Sequence, residues 1–244
     1  MGVITQDWLI AAVVIAVAAC LQGTGGVGFG MVAAPVMAIL MPELLPGPML
    51  LLGLMVAVLA VARERAALDP KGLGFALAGR LPTSILAATL IGVLPLRMLS
   101  IVFALVILAG VAMSVVVTLR GRRIVPSPGK LFAAGLVSGF MGTITSVGTP
   151  PIALVYQNAD APALRATIGA YLVAGTLISI AALAAVGRFG LHDLTLGAWL
   201  ALPLAAGFAI SGPLASRLPR AGMRWLVLAL SGAAAALLLI RQMI

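Results

Sequence analysis

Apolar residues run through this chain in long blocks separated by short polar punctuation. The blocks are 8–41, 47–62, 72–94, 97–119, 130–157, 163–187, 194–216 and 222–243. Several approach the roughly 20 residues a helix needs to cross the hydrocarbon of a bilayer. Two blocks do not read as one helix. Block 8–41 holds 34 residues, about 51 Å as a single helix at 1.5 Å per residue, whereas two full spans need about 40 residues plus a turn. Inside it lies Gln22-Gly23-Thr24-Gly25-Gly26-Val27-Gly28-Phe29-Gly30. Two half-helices of about 14 residues, about 21 Å each, meeting at this break fit the length better. Block 130–157 repeats the argument around Gly142-Thr143-Ile144-Thr145-Ser146-Val147-Gly148-Thr149-Pro150-Pro151. Non-helical backbone at membrane depth is tolerated only inside protein or along a wet cavity. Two such breaks at corresponding places in two halves point to a transporter's substrate site.

Charge decides how the broken blocks are threaded. If each is a re-entrant hairpin that returns to its own side, one face collects Arg63, Arg65, Lys71, Arg120, Arg122, Arg123, Lys130, Arg165, Arg217, Arg220 and Arg224, and the other Arg97, Arg188 and Arg241. If each broken block crosses once, the split falls to nine bases against five. The positive-inside rule prefers the hairpins, with the basic face cytoplasmic and both termini on the non-cytoplasmic side. Each half then has three full spans, an odd number, so the second half enters inverted. Weak internal similarity agrees: Gly25-Gly26-Val27-Gly28 aligns with Thr145-Ser146-Val147-Gly148, Leu81-Pro82 with Leu202-Pro203, and Val106–Gly110 with Leu228–Gly232. The expected fold is an all-α integral membrane protein of two inverted repeats, each a broken-helix hairpin plus three transmembrane helices. The repeats are 1–120 and 131–244, joined by a basic cytoplasmic linker at 121–130.

Composition agrees and excludes alternatives. The 244 residues are 63% hydrophobic and 9% charged, with a mean hydropathy of +1.23, against about 25% charged in soluble domains. The net charge of +9 sits in short loops, as topology signals do, so nucleic-acid binding is not expected. One cysteine, Cys20, allows no intrachain disulfide and reads as a small packing residue. One histidine, His192, excludes a multi-histidine metal site. Nothing precedes Val17-Ala18-Ala19-Cys20 in the manner of a signal peptide, and the N-terminus reads as retained. No cofactor is implied. His-Glu-x-x-His, paired carboxylates within one block, and a nucleophile with a nearby histidine are all missing from the sequence, which argues against a membrane enzyme.

The breaks carry the candidate chemistry. Helices starting near Gly28 and Thr149 would aim free N–H groups and partial positive charge at a shared cavity, as anion sites do. Gly25, Gly26, Gly28 and Gly148 allow close backbone approach, and Thr24, Thr143, Thr145, Ser146 and Thr149 supply hydroxyls. Gln22 would line the same cavity. Close helix packing is the competing explanation for the small residues. Arg80 lies about 12 Å into its block on the helix rise. Either it snorkels to the cytoplasmic headgroups, the reading its depth slightly favours, or it serves substrate. Its counterpart in the second half is Ala201. The carboxylates Asp7, Glu43, Glu64, Asp69, Asp160 and Asp193 all fall at block ends or loops, so no proton relay is visible.

The duplicated pattern of a Gly-rich turn followed by small residues and proline, Gly23–Pro35 and Gly139–Pro151, resembles the TauE/SafE family of sulfite and organosulfonate exporters. The resemblance extends across essentially the whole chain. It implies secondary export of small sulfur-containing anions such as sulfite or sulfoacetate across the cell inner membrane, with a lipid bilayer and a small anion as the partners. A homodimer is consistent with the habit of carriers. The family's second turn is usually glycine-rich, and here Thr145-Ser146 stand instead. A passive anion channel, or a carrier of another small organic anion, would use similar site physics.

Overall fold

The computed structural model describes residues 6–25, 28–63, 68–120, 124–159, 161–214 and 220–243. They form α1 (Gln6–Gly25), α2 (Phe29–Leu40), a 3₁₀ turn (Pro42–Leu44), α3 (Gly47–Arg63), α4 (Pro70–Val93), α5 (Leu96–Arg120), α6 (Pro128–Thr145), α7 (Thr149–Val155), α8 (Ala161–Ala185), α9 (Leu191–Leu214) and α10 (Arg220–Met243). Among the described residues, α1, α4, α5, α8, α9 and α10 are long and apolar enough to cross a membrane. Their outward surfaces remain apolar, with Val13 and Val17 on α1, Leu81 and Ile85 on α4, and Trp199 and Leu202 on α9 all exposed. A soluble monomer seldom exposes such continuous apolar faces. The chain is a multi-pass, all-α membrane protein.

Inside, small residues let the helices close up. A Cβ on Gly79 or Gly135 of α4 and α6 would strike the facing backbone carbonyls of Phe132 and Ala76, and one on Gly207 of α9 would strike that of Ala16 on α1. The pairings recur in two sets. α1 packs along α9 as α6 packs along α4; α2 packs on α10 as α7 does on α5; α3 meets α9 as α8 meets α4.

The broken blocks divide less evenly than their length suggests. α1 has 20 residues and α2 has 12, while α6 has 18 and α7 only 7. Gly23 stays helical because α9 packs on it, with Ser211 and Phe208 against its Cα. α6 continues through Gly142, Thr143 and Thr145, whose threonine hydroxyls find partners without leaving the helix; Thr145 Oγ1 donates to the Met141 carbonyl at 2.7 Å. The second break is therefore only Ser146–Gly148, and tertiary packing has overridden local propensity in both breaks.

Two apolar clusters divide the interior. The larger runs through α1, α2, α3, α5, α9 and α10 and takes in Ala87, Ala88, Ile144 and Leu183. The smaller joins Ala76, Leu131, Ala134, Ile152, Ile168 and Tyr171 near the start of α4 and the end of α7. Between them along α4, α6 and α8 lies a buried polar layer of Arg80, Ser84, Ser138, Thr143, Thr176 and Ser179.

Candidate functional site

Arg80 organises this layer. α4 begins at Pro70, so Arg80 sits about 15 Å from its start and about 20 Å from its end. Its side chain does not reach back to the interface. It is 1% exposed and turns into the protein. Nη2 donates to Ser179 Oγ of α8 at 3.0 Å, and Nη1 to Ser138 Oγ of α6 at 3.4 Å. The guanidinium carbon stands 5.3 Å from the centre of the Tyr171 ring, within cation–π range. No carboxylate among the described residues pairs with it: Asp69 is engaged at the start of α4 and Asp193 at the start of α9.

Three glycines make the space. A Cβ on Gly175 would lie 2.5 Å from Arg80 Nε, one on Gly142 2.9 Å from Nη2, and one on Gly148 3.0 Å from Nη1. The surrounding hydroxyls present lone pairs to the cation because their hydrogens point elsewhere. Ser138 donates to the Gly148 carbonyl and Ser179 to that of Gly175 at 3.2 Å. Thr143 Oγ1 bridges to Ser179 Oγ at 2.8 Å. Among the described residues, three buried polar atoms have no protein partner: Arg80 Nε, Tyr171 Oη and Ser146 Oγ.

The two breaks meet. Gly30, in the first turn of α2, lies so close to the Ser146 carbonyl that a Cβ there would overlap it. Ser146 itself is left-handed at φ 60, a conformation glycine adopts more cheaply than serine. Thr145 Oγ1 accepts the Val147 N–H at 3.2 Å and so stabilises this turn. Thr149 opens α7 and is buried; Pro150 and Pro151 follow it without N–H groups to offer.

The first break is assembled differently. Gly28, at φ 142, caps α2. Gln22 is buried and its Oε1 accepts the Phe29 N–H at 3.1 Å, spending the first donor of α2 within the protein. Thr24 Oγ1 donates to the Leu21 carbonyl at 2.9 Å, and Gly25 closes α1. Gly26 lies outside the described residues. Gly148 thus adjoins the guanidinium directly, Thr143 reaches it through Ser179, Thr145 and Ser146 shape the turn beside it, and Gln22, Thr24 and Gly28 build the other break. Ser138, Tyr171, Gly175 and Ser179 complete the site, and the sequence reading did not single them out. The available signal was a glycine and a serine one helical turn apart, Gly175 and Ser179, within an otherwise apolar span.

The comparisons now bear on this arrangement. The model of the sulfite exporter TauE/SafE family matches residues 10–238. The chain belongs to the TauE/SafE family. No curated protein and no solved structure shows significant similarity to it. The match takes in both breaks and all the residues of the site in this TauE/SafE protein. Among the described residues, no group of three or more His, Cys, Asp or Glu could hold a metal ion.

In this TauE/SafE chain, a clasp also ties the start of α4 to the end of α7 and to α8. Asp69, the N-cap of α4, accepts the Gly72 N–H at 3.0 Å and the Tyr156 hydroxyl at 2.8 Å, while its own N–H reaches Thr167 Oγ1 of α8 at 3.2 Å. The Gly72 and Tyr156 hydrogen bonds hold its carboxyl below the usual carboxylate range.

Proposed function

We propose that this protein is a secondary transporter that exports small sulfur-containing anions, sulfite or organosulfonates such as sulfoacetate, across the cytoplasmic membrane by alternating access. One observation carries the reading: Arg80 is a mid-helix, buried cation without a carboxylate partner among the described residues. An uncompensated buried ion costs several kcal/mol, even after relaxation. An anion arriving at the site offsets that cost, so the protein is built to receive one. Family membership supplies the sulfur oxyanion as the class. The donors come from the guanidinium more than from helix ends, since Gln22 occupies the Phe29 N–H and prolines begin α7.

The inverted-repeat reading has support of its own. Asn158, just after α7, donates to the Ile124 carbonyl just before α6 at 3.5 Å, so the second broken segment leaves on the face where it entered. Gly47, at the start of α3, lies against Asp193 at the start of α9, and α1 runs alongside α9 through the Ala16–Gly207 contact. That is what a hairpin opening to the opposite face requires. On this reading residues 1–120 and 131–244 are the inverted repeats, the 121–130 linker is cytoplasmic, and both termini are outside the cytoplasm.

The test is counterflow in proteoliposomes with labelled sulfite, sulfoacetate and sulfate. Saturable exchange that disappears in Arg80→Ala, with the variant still folded, is the expected result. Flux without acceleration by substrate on the opposite side would mean a channel. No flux of any sulfur anion would remove the substrate class.

A further inference from the structure

We infer that Tyr171 is the second donor of the Arg80 site, and that the pair seats a single oxyanion group where there is no place for an ammonium. The inference deepens the transport reading and rests on it.

Tyr171 lies on α8, one turn before Gly175 and two before Ser179. It is 0% exposed, and its hydroxyl has no protein partner. Buried Tyr hydroxyls usually find one. Arg80 Nε, also without a partner, belongs to the guanidinium that faces the same ring. The two orphaned atoms thus belong to one cation–aromatic pair, each carrying an N–H or O–H. The hydroxyls that hold the guanidinium are already committed: Ser138 to Gly148, Ser179 to Gly175, Thr143 to Ser179. What Arg80 and Tyr171 leave for a ligand is two hydrogens to donate and one positive charge. An oxyanion group satisfies all three.

The same inventory works against a zwitterion. A ligand ammonium desolvated here would need acceptors. No carboxylate among the described residues adjoins the site, and the serine lone pairs face the guanidinium. A second cation a few ångströms from Arg80 would also be repelled more strongly than in water. Ethanesulfonate and taurine share one skeleton and differ by that ammonium, so they separate the two cases.

The experiment uses the full-length protein, wild type and Tyr171→Phe, in two formats. In proteoliposomes loaded with labelled sulfite, external ethanesulfonate should drive exchange at a KM at least tenfold below that of taurine. Tyr171→Phe keeps the ring over Arg80 and should raise the KM for ethanesulfonate roughly tenfold, the worth of one hydrogen bond to a charged group. In detergent, ethanesulfonate should raise the Tm of wild type and do so less for Tyr171→Phe, while the ligand-free Tm of the variant is equal or higher. A hydroxyl with a structural bond would instead lower it. Taurine matching ethanesulfonate, an unchanged KM, or a lower ligand-free Tm would each overturn the inference, as would a wild type whose Tm responds to neither ethanesulfonate nor sulfite. If wild type binds these anions but exchanges none, the transport reading fails and the seat itself stands.

Discussion

Arg80 shows how a single side chain can set the terms for a membrane protein's interior. Its burial is unfavourable in the empty protein, and every neighbour within reach is arranged around it: two serine oxygens accept from it, one aromatic face lies beside it, and three glycines leave it room. Two outcomes follow at this scale. Arg80→Met should abolish exchange yet raise the substrate-free Tm by several degrees, because replacing buried ionic groups with apolar ones can stabilise by about 1–4 kcal/mol and each kcal/mol shifts Tm by roughly 2–4 °C in a chain of this size. A thermal melt beside a counterflow assay checks both. Gly175→Ala places a methyl 2.5 Å from Nε and 2.6 Å from Cδ. It should push the guanidinium off Ser179 and cut kcat/KM by roughly tenfold or more, the cost of a displaced charged hydrogen bond, with the protein still folded.

At the scale of elements, glycine has two separate jobs in this chain. Gly79, Gly135 and Gly207 bring backbones into contact between α4 and α6 and between α1 and α9. Gly142, Gly148 and Gly175 clear space around a side chain. The first group should respond through stability. Gly135→Leu is expected to cost about 3 kcal/mol or more by forcing α4 and α6 apart, read as lost folded protein after extraction. The clasp at the start of α4 makes a pH prediction. Asp69 is held below its ordinary value, so its contribution is fully present above the unfolded pKa of about 3.9 and is lost as pH falls through the lower folded value. The stability gap between wild type and Asp69→Asn should therefore be constant from neutral pH down to about 5 and close below about pH 4. Melts across that range would show it; a gap that closes near neutrality would contradict it.

Across the whole molecule, helix pairings recur where the charge of Arg80 does not. The pairings of α1 with α9, α2 with α10 and α3 with α9 recur as α6 with α4, α7 with α5 and α8 with α4, yet Ala201 stands where the alignment with Arg80 would require a cation. On the proposed function, Arg80 then makes one anion site per chain. Carboxylates are confined to block ends and loops in the sequence, and we propose the membrane potential as the driving force, about 2.3 kcal/mol per charge per 100 mV. Export of a monoanion from inside-negative vesicles should slow when an ionophore collapses the potential, and an unchanged rate would argue for coupling to another ion.

What the sequence by itself determined is everything that depends on hydrophobicity and chain length. The blocks 47–62, 72–94 and 97–119 became α3, α4 and α5 to within a few residues, and the breaks fall inside the two blocks whose lengths did not suit one helix. Lipid demands an apolar surface and an internally bonded backbone, and both demands are written locally. Where each break falls, and what it faces, is not local. Gly23 and Gly142 remain helical because α9 and the α4 side chain pack on them. Tyr171, Ser138, Ser179 and Gly175 look like ordinary span residues until folding brings three helices around one guanidinium. Depth alone favoured a snorkelling Arg80, since an arginine with no visible partner is cheapest at the interface. The tertiary structure decided otherwise because the acceptors that hold Arg80 come from α6 and α8, 58 and 99 residues away along the chain.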